Sequence, residues 1–377
     1  MGKSSAIDGD HLRFDLADSL RHSGDSTRMP FFGRRRSGNT WVVSLFLVVQ
    51  LVVFVSTMLI NDCPHRSSGD CLLRSLGRFS FQPLHENPLL GPSASTLVKM
   101  GAIQRSRVIQ LHQRWRLLIF PWLNAGVIHL VLNLLSTLLF GIHLEQEFGP
   151  LRTGIIYLLS AFLGSVVSAL FVQNAPAVGS SGALFGLLGA TLAGLIRNRK
   201  IYDNKLIAVV TLASAFMANF FIGLLPYVDN FSNIGGFLTG IFLGYALLYN
   251  PQLSQLERQK GIFDYDSKSS VKLKQKLDKP ALRIVALLCF IAIFSGVMVV
   301  FFYGIDASSY CCFCHYIDCV PTKFWSCNEK ATLCQAVVSD RKLTLTCMAT
   351  AEFRSFPFTN ISPTKIKDLC RLICSTT

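Results

Sequence analysis

The stretch DNFSNIGGFLTGIFLGY, residues 229–245, is an apolar run studded with glycines, and an asparagine, Asn233, lies near its start. Gly236 and Gly240 are four residues apart, so in a helix they share one face and allow a second helix to approach closely. Asn233 lies one turn before Gly236 on the same side. From this stretch alone, its amide is either a helix–helix hydrogen-bonding group or the remnant of a residue that carried out chemistry.

A second glycine-rich stretch, AVGSSGALFGLLG at residues 177–189, places a hydroxyl between small residues. Gly182 and Gly186 form another close-packing face, and Gly179 precedes Ser181 by two positions. If the two glycine faces pack together, Ser181 meets the asparagine of the first stretch near one membrane surface. Ser181 is then a candidate nucleophile, although serine–glycine pairs are also common in packed membrane helices.

A third stretch, WLNAGVIHLVLNLLS at residues 122–136, carries His129 and Asn133 four residues apart and therefore on one helix face. A histidine and an amide could together donate hydrogen bonds to a developing oxyanion. They could equally satisfy each other inside a helical bundle, and this stretch does not decide between the two.

The composition is that of a polytopic membrane protein. Of 377 residues, 51% are hydrophobic and 15% are charged, whereas charged residues make up about a quarter of a soluble domain. Several apolar runs approach the roughly 20 residues that cross a bilayer as a helix. The predicted spans are residues 41–60, 117–140, 153–171, 180–196, 206–225, 231–249 and 281–303.

The net charge of +14 comes largely from lysines and arginines beside the spans, which argues against a nucleic-acid partner. With seven spans, the clusters at residues 34–36, 197–205 and 268–279 fall on one side, and the positive-inside rule makes that side cytosolic. The first apolar run starts at Trp41 and predicts a retained signal anchor. Residues 1–40, which mix acids and bases, are predicted to be a disordered cytosolic tail.

The twelve cysteines agree with that orientation. Cys63 and Cys71 fall in the first outer loop, and nine more follow the last span, where they predict a disulfide-stapled unit in an oxidising compartment. A zinc site is the competing interpretation and is disfavoured there, so we predict no metal and no cofactor. The expected location is the secretory pathway (Golgi, endoplasmic reticulum or plasma membrane), with a lumenal or extracellular C-terminal tail. Asn360 begins a glycosylation sequon on the same side.

Taken in order along the chain, these stretches resemble the rhomboid family of intramembrane serine proteases, and within it the plant secretory-pathway members. The ordered combination is far more specific than any one piece. The motifs that carry the resemblance are NPLLGPSASTLVKMGA (87–102), RWRLLIFPW (114–122), HLVLN (129–133), LEQEFGP (144–150), GSSGALFGLLGA (179–190), DNFSNIGGFLTG (229–240) and CCFCHYIDCVPTKFWSC (311–327).

The resemblance implies an all-α fold in which a six-helix bundle is followed by a seventh, C-terminal transmembrane helix. The expected domains are the tail at 1–40, the rhomboid core at 41–250 with its outer loop at 61–116, a basic cytosolic linker at 251–280, the seventh helix at 281–305 and the cysteine-rich lumenal tail at 306–377.

The family's functional residues carry over with one decisive departure. The nucleophile corresponds to Ser181, the oxyanion residues to His129 and Asn133, and the histidine base to Asn233. A carboxamide is not basic near pH 7, because its nitrogen lone pair is delocalised into the carbonyl, so Asn233 cannot accept the serine proton. A second departure is Asn124, where plant relatives typically have a histidine; its amide could still donate a hydrogen bond, so Asn124 stays among the expected oxyanion residues. The Trp-Arg pair of the outer loop and the packing glycines are retained.

The favoured hypothesis is a rhomboid-fold pseudoprotease that binds single-pass client transmembrane helices without hydrolysing them. The alternative is a working protease that uses Ser181 with a non-standard base or retains slow activity. A channel or transporter is disfavoured, because the sequence has no internal repeat and no interrupted helix pair.

Overall fold

A computed structural model describes the chain in the ranges 40–63, 71–172, 175–197, 205–248 and 280–311, together with parts of the C-terminal tail. The described tail residues are 314, 317–320, 322, 325, 334–339, 342–347, 353–357, 366, 369, 370, 372 and 373. The predicted N-terminal tail (1–39), nearly all of the basic linker (251–279) and the sequon at Asn360 lie outside the described residues.

Long helices occupy all seven predicted segments. Their bounds are α1 Trp41–Asn61, α2 Val127–Phe148, α3 Pro150–Phe171, α4 Ser180–Arg197, α5 Lys205–Ile222, α6 Asn230–Leu247 and α7 Pro280–Phe302. In the part of the chain that the structure describes, five of them (α1–α4 and α7) are long and apolar enough to cross a membrane, and α5 contains a shorter apolar helix, Leu206–Ile222. The prediction of a helical multi-pass membrane protein is confirmed. The arrangement as six helices plus one remains a prediction.

The second helix starts later than the sequence pattern predicted. The apolar run from Leu117 forms two short turns, Arg116–Ile119 and Phe120–Trp122, and α2 begins only at Val127. The chain is extended at Leu123 and Gly126, and a Cβ at Gly126 would collide with the backbone of Leu89. The loop therefore packs against this segment and interrupts the helix. At its other end α2 continues past Phe140 to Phe148.

Helix α4 forms the centre of the bundle, and its most extensive contact is with α6. Helices α3 and α6 also pack on each other, α7 packs on α6 and α3, and α1 packs on α2 and α3. Helix α5 contacts α4 and α2 much less and exposes many apolar side chains. The bundle is therefore tight around α4 and loose around α5.

A buried carboxylate fixes the start of α1. Glu145, near the end of α2, accepts hydrogen bonds from the backbone amides of Val42 (3.0 Å) and Val43 (2.8 Å). First-turn amides have no partner within their own helix, and a carboxylate there also complements the helix dipole. This explains why the LEQEF segment carries an acidic residue that is only 2% exposed.

The loop between α1 and α2 covers one end of the bundle, which we call the loop face. It contains the helix Ala94–Met100 and shorter turns at Arg74–Phe79 and Ser106–Gln110. Arg116 donates to the carbonyls of Val98 (2.7 Å) and Ala102 (2.9 Å), and its guanidinium stacks on Trp115. The Trp-Arg pair thus ties this loop to the entry turn of α2.

The C-terminal tail adds a small β-sheet that the sequence patterns did not predict. Strands β1 Cys334–Ser339, β2 Lys342–Cys347 and β3 Phe353–Pro357 form an antiparallel sheet in that order. Leu343 and Leu345 of β2 are buried. Disulfides join Cys63 to Cys71 and Cys311 to Cys314. Cys319 and Cys370 are also disulfide-bonded.

Candidate active site

The structure places Ser181 in the first turn of α4, directly after an extended segment. This segment is held on both sides: Ala177 pairs with Ile103 of the loop, and the Val178 amide donates to the Tyr227 carbonyl (2.8 Å). A Cβ at Gly179 would overlap the Phe120 ring, so only glycine fits there. The segment thereby places Ser181 in a buried position near the loop face of the bundle.

The glycine faces of α4 and α6 lie against each other. A Cβ at Gly236 would overlap the Gly182 carbonyl, and one at Gly240 would overlap the Gly186 carbonyl. On the α4 side, a Cβ at Gly182 would meet the Ser232 hydroxyl. Backbone therefore packs on backbone at two successive turns, which places Asn233, next to Ser232, on the helix that faces Ser181.

Ser181 and Asn233 do not hydrogen-bond to each other. The Ser181 Oγ is buried and has no partner in the described part of the chain. The Asn233 Nδ2 donates instead to the Asn230 Oδ1 one turn earlier on α6 (2.8 Å), and its Oδ1 makes no hydrogen bond to described residues. The amide at the predicted position of the base is thus directed along its own helix rather than across to the hydroxyl.

The amides of the oxyanion region form a closed triangle with Ser180. Asn133 Nδ2 donates to Ser180 Oγ (2.7 Å) and to Asn124 Oδ1 (3.1 Å), and Ser180 Oγ donates to Asn124 Oδ1 (2.6 Å). Both protons of the Asn133 amide are therefore engaged. To stabilise an oxyanion beside Ser181, Asn133 would have to break one of these bonds.

His129 keeps one ring nitrogen available. Its Nδ1 accepts from the Ala125 amide (3.2 Å), so in the neutral ring the proton is on Nε2. That Nε2 is buried and has no hydrogen-bond partner among the described residues. Among the predicted oxyanion donors, the His129 Nε2 and the Asn124 Nδ2 are therefore the groups free to bind an incoming oxygen.

Ser181 and the buried polar side chains on or next to α2, α4 and α6 form a candidate site, which we call the chamber. Buried polar atoms normally find a hydrogen-bond partner, yet several here find none within the described chain. They are Ser181 Oγ, His129 Nε2, Asn124 Nδ2, Asn133 Oδ1, Ser232 Oγ and Asn233 Oδ1. Such a set of donors and acceptors can bind a peptide group that enters the chamber.

Asp229, which lies one turn before Asn233, has a structural role at the start of α6. It caps α6, accepting from the amides of Phe231 (2.8 Å) and Ser232 (3.2 Å). Burial raises the pKa of this carboxyl from 3.8 to about 6. Asp318 of the tail lies beside it, and burial together with the Asp229 carboxylate raises the pKa of Asp318 well above its usual range. The start of α6 therefore holds a buried carboxyl group, Asp229, and a partly buried one, Asp318.

The sequence patterns did not identify three residues that hydrogen-bond within or next to the candidate site: Ser180, Asn230 and Asp318. The doublet Ser180-Ser181 signalled that either hydroxyl could face the asparagines. Asn230 stands one helical turn before Asn233, which could have suggested a pair. No local pattern connects Asp318 with α6, because the two are far apart in sequence.

Comparison with known proteins supplies the family context. Residues 111–250 match the Rhomboid domain family. The chain is 44% identical over 337 residues to "Inactive RHOMBOID-like protein 8" of Arabidopsis thaliana, an alignment that covers 88% of this chain and 96% of the relative.

Two further relatives come from the same plant. "RHOMBOID-like protein 1" is 42% identical over 334 residues, which cover 89% of this chain and 85% of the relative. "RHOMBOID-like protein 6, mitochondrial" is 44% identical over 302 residues, which cover 78% of this chain and 97% of the relative. The similarity thus extends well beyond the matched domain.

Proposed function

The chain belongs to the rhomboid family, and we propose that it is a pseudoprotease, which binds client transmembrane helices but does not hydrolyse them efficiently. The proposal rests on Asn233, which the resemblance to rhomboid proteases puts in correspondence with the catalytic base. Its Nδ2 is bonded to Asn230 and the Ser181 hydroxyl has no partner. Without a base the hydroxyl stays a weak nucleophile. Loss of the base histidine in a serine protease lowers kcat on the order of 10⁶-fold.

A relative that aligns with 88% of this chain supports the proposal, since it is named inactive. Another similar relative carries no such word in its name. The alternative, an active protease with Ser181 and a non-standard base, has no candidate base in contact with Ser181, because Ser181 Oγ bonds to none of the described residues.

The proposal is tested by co-expressing the protein with a cleavable transmembrane substrate and comparing wild type, Ser181→Ala and Asn233→His. We expect no serine-dependent cleavage by the wild type. Serine-dependent cleavage would contradict the proposal. Cleavage that appears only with Asn233→His would show that the base alone was missing.

We place the client helix beside α5. This helix packs loosely, and a side-chain hydrogen bond from Asn219 Nδ2 to Ser136 Oγ (3.1 Å) joins it to α2. A transmembrane segment of a single-pass protein has an apolar surface that complements the exposed side chains of α5. Those exposed side chains are Leu206, Ile207, Val209, Val210, Met217 and Phe221.

Site-specific photo-crosslinking tests this placement. A crosslinking amino acid at Met217 or Phe221 should capture a co-expressed single-pass protein. The matched control is the same amino acid at Ile284 or Leu288, which are equally apolar and exposed on α7. Equal capture from α5 and α7 would contradict a specific client surface on α5.

We further propose that the loop face is lumenal, with the N-terminus in the cytosol and the protein in the secretory pathway. The disulfides Cys63–Cys71 and Cys311–Cys314 support an oxidising compartment on that side. One relative is named mitochondrial, so colocalisation with Golgi and mitochondrial markers is the direct test. Mitochondrial signal would contradict the proposal.

A further inference from the structure

After α7, the chain turns back across the loop face instead of leaving the bundle. Arg105 of the loop holds this return: its guanidinium donates to the carbonyls of Gly304 (2.8 Å) and Leu170 (3.3 Å) and lies 3.8 Å from the Asp306 carboxylate. The Cys311–Cys314 disulfide follows. The start of the tail is therefore fixed to both the loop and α3.

The next described tail segment, residues 317–320, contacts the loop that joins α5 to α6. The Val320 amide donates to the Leu224 carbonyl (3.1 Å), and Asn230 Nδ2 donates to the Ile317 carbonyl (2.8 Å). The Asp318 carboxylate accepts from the Asn230 amide. One tail segment thus contacts both ends of the α5–α6 loop.

Asp318 completes the cap of α6. Asp229 accepts from the amides of Phe231 and Ser232, and Asp318 accepts from that of Asn230. Three successive first-turn amides, which have no partner within a helix, are satisfied by two carboxyl groups. One of these groups comes from beyond α7, so the tail contributes directly to the end of the helix that carries Asn233.

Asn230 connects the tail with the candidate active site. Its Nδ2 binds the Ile317 carbonyl and its Oδ1 accepts from Asn233 Nδ2. A Cβ at Gly223 would overlap the Asn230 side chain, so the loop closes tightly around it. The residue at the position of the base is therefore two hydrogen bonds away from the tail backbone.

The same loop is fastened to the segment before Ser181. The Val178 amide donates to the Tyr227 carbonyl (2.8 Å), and Val178 pairs with Val228 as a parallel bridge. Any displacement of the α5–α6 loop must break these contacts, which hold the segment that leads into Ser181. What holds the loop therefore also holds the segment that positions Ser181.

We propose that residues 317–320 are a strap that locks the α5–α6 loop over the Ser181 chamber, so that the C-terminal tail regulates access to the chamber. The strap rests on the contacts above. Its role in limiting client binding rests additionally on the proposed function. Release of the tail, by a partner or by a change in its disulfides, would open the loop.

The test is the accessibility of position 181 in the full-length protein, in detergent and without any client. A Ser181→Cys reporter is treated with a small water-soluble maleimide, and mass spectrometry measures labelling of the peptide that contains position 181. Val320→Pro removes the amide that donates to Leu224, whereas Val320→Ala keeps it. Loss of one hydrogen bond predicts labelling about fivefold faster with Val320→Pro and unchanged with Val320→Ala.

A second variant covers the case in which Val320→Pro fails to fold. Asp318→Ala removes the acceptor for the Asn230 amide that Asp318→Asn keeps, and hydrogen exchange of the peptide covering residues 222–232 should be faster in Asp318→Ala than in Asp318→Asn by a similar factor. Unchanged labelling and unchanged exchange in both variants would overturn the strap. Because no client is present, that outcome leaves the proposed client binding untouched.

Discussion

Asn233 Nδ2 donates a hydrogen bond to Asn230 Oδ1 at 2.8 Å, and neither of its polar side-chain atoms is bonded to Ser181. In a serine protease of this fold the residue at this position would accept the serine proton. Here it donates to Asn230 in the first turn of the same helix, and Asn230 in turn donates to the Ile317 carbonyl of the tail. Asn233 therefore has a structural role at the loop face, and the proposed function adds that no base is present at this position.

Alanine at Gly236 should strongly destabilise the bundle, because the added Cβ would overlap the Gly182 carbonyl, which belongs to the backbone and cannot move alone. Overpacking of this kind costs about 1–3 kcal/mol or more. Thermal unfolding in detergent measures the effect. The matched control is Gly296→Ala in α7, where nothing lies within 4 Å of the added Cβ. Equal unfolding temperatures for the two variants would contradict the close packing of α4 on α6.

Glu145→Ala should lower the free energy of unfolding by about 2 kcal/mol, because it leaves two first-turn amides of α1 without an acceptor. Glu145→Gln retains one acceptor oxygen and should show a smaller loss. Glu147→Gln, which disturbs a pair with His143 on the same helix, should cost less than about 1 kcal/mol. A loss for Glu147→Gln as large as for Glu145→Ala would show that Glu145 has no special role.

Stability should depend on pH through the carboxyl pair at the start of α6. The pKa of Asp229 is raised from 3.8 to about 6 and that of Asp318 is raised as well. The folded protein therefore binds more protons than the unfolded chain between about pH 4 and pH 6, and stability falls as pH rises through this range.

Asp318→Asn isolates this effect, because it resembles the protonated carboxyl and keeps an acceptor for the Asn230 amide. The variant should match the wild type near pH 4 and become more stable than the wild type as pH rises to 7. Unfolding temperatures measured across this range for both proteins give the difference directly. A difference in unfolding temperature that does not change with pH would contradict the raised pKa of Asp318. A higher unfolding temperature for the wild type at pH 7 would also contradict it.

The sequence allowed the helices and the glycine faces to be predicted, because both depend on local pattern. The seven apolar runs coincide with α1–α7, and the spacing of Gly236 and Gly240 matches that of the α4 glycines they oppose. The start of α2 was misplaced, since the apolar residues after Leu117 resemble a helix. Only tertiary contact reveals that the loop at Leu89 packs on Gly126 and keeps the chain extended there.

The partners within the site were less predictable, because they depend on side-chain direction. Adjacent serines point differently: Ser180 joins the Asn124 and Asn133 amides while Ser181 does not. Likewise, the sequence allowed Asn233 to bond to Ser181, but in the structure its amide turns to Asn230. The β-sheet of the tail was not predicted, because the cysteines of this region indicate disulfides and do not indicate where strands form.

The central claim is that Ser181 is not activated, and the most direct measurement is its reaction with a fluorophosphonate, which modifies activated serine hydroxyls independently of any substrate. We predict that the purified wild-type protein is labelled no more than Ser181→Ala, and that Asn233→His becomes labelled at Ser181. Labelling of the wild type that disappears with Ser181→Ala would contradict the account.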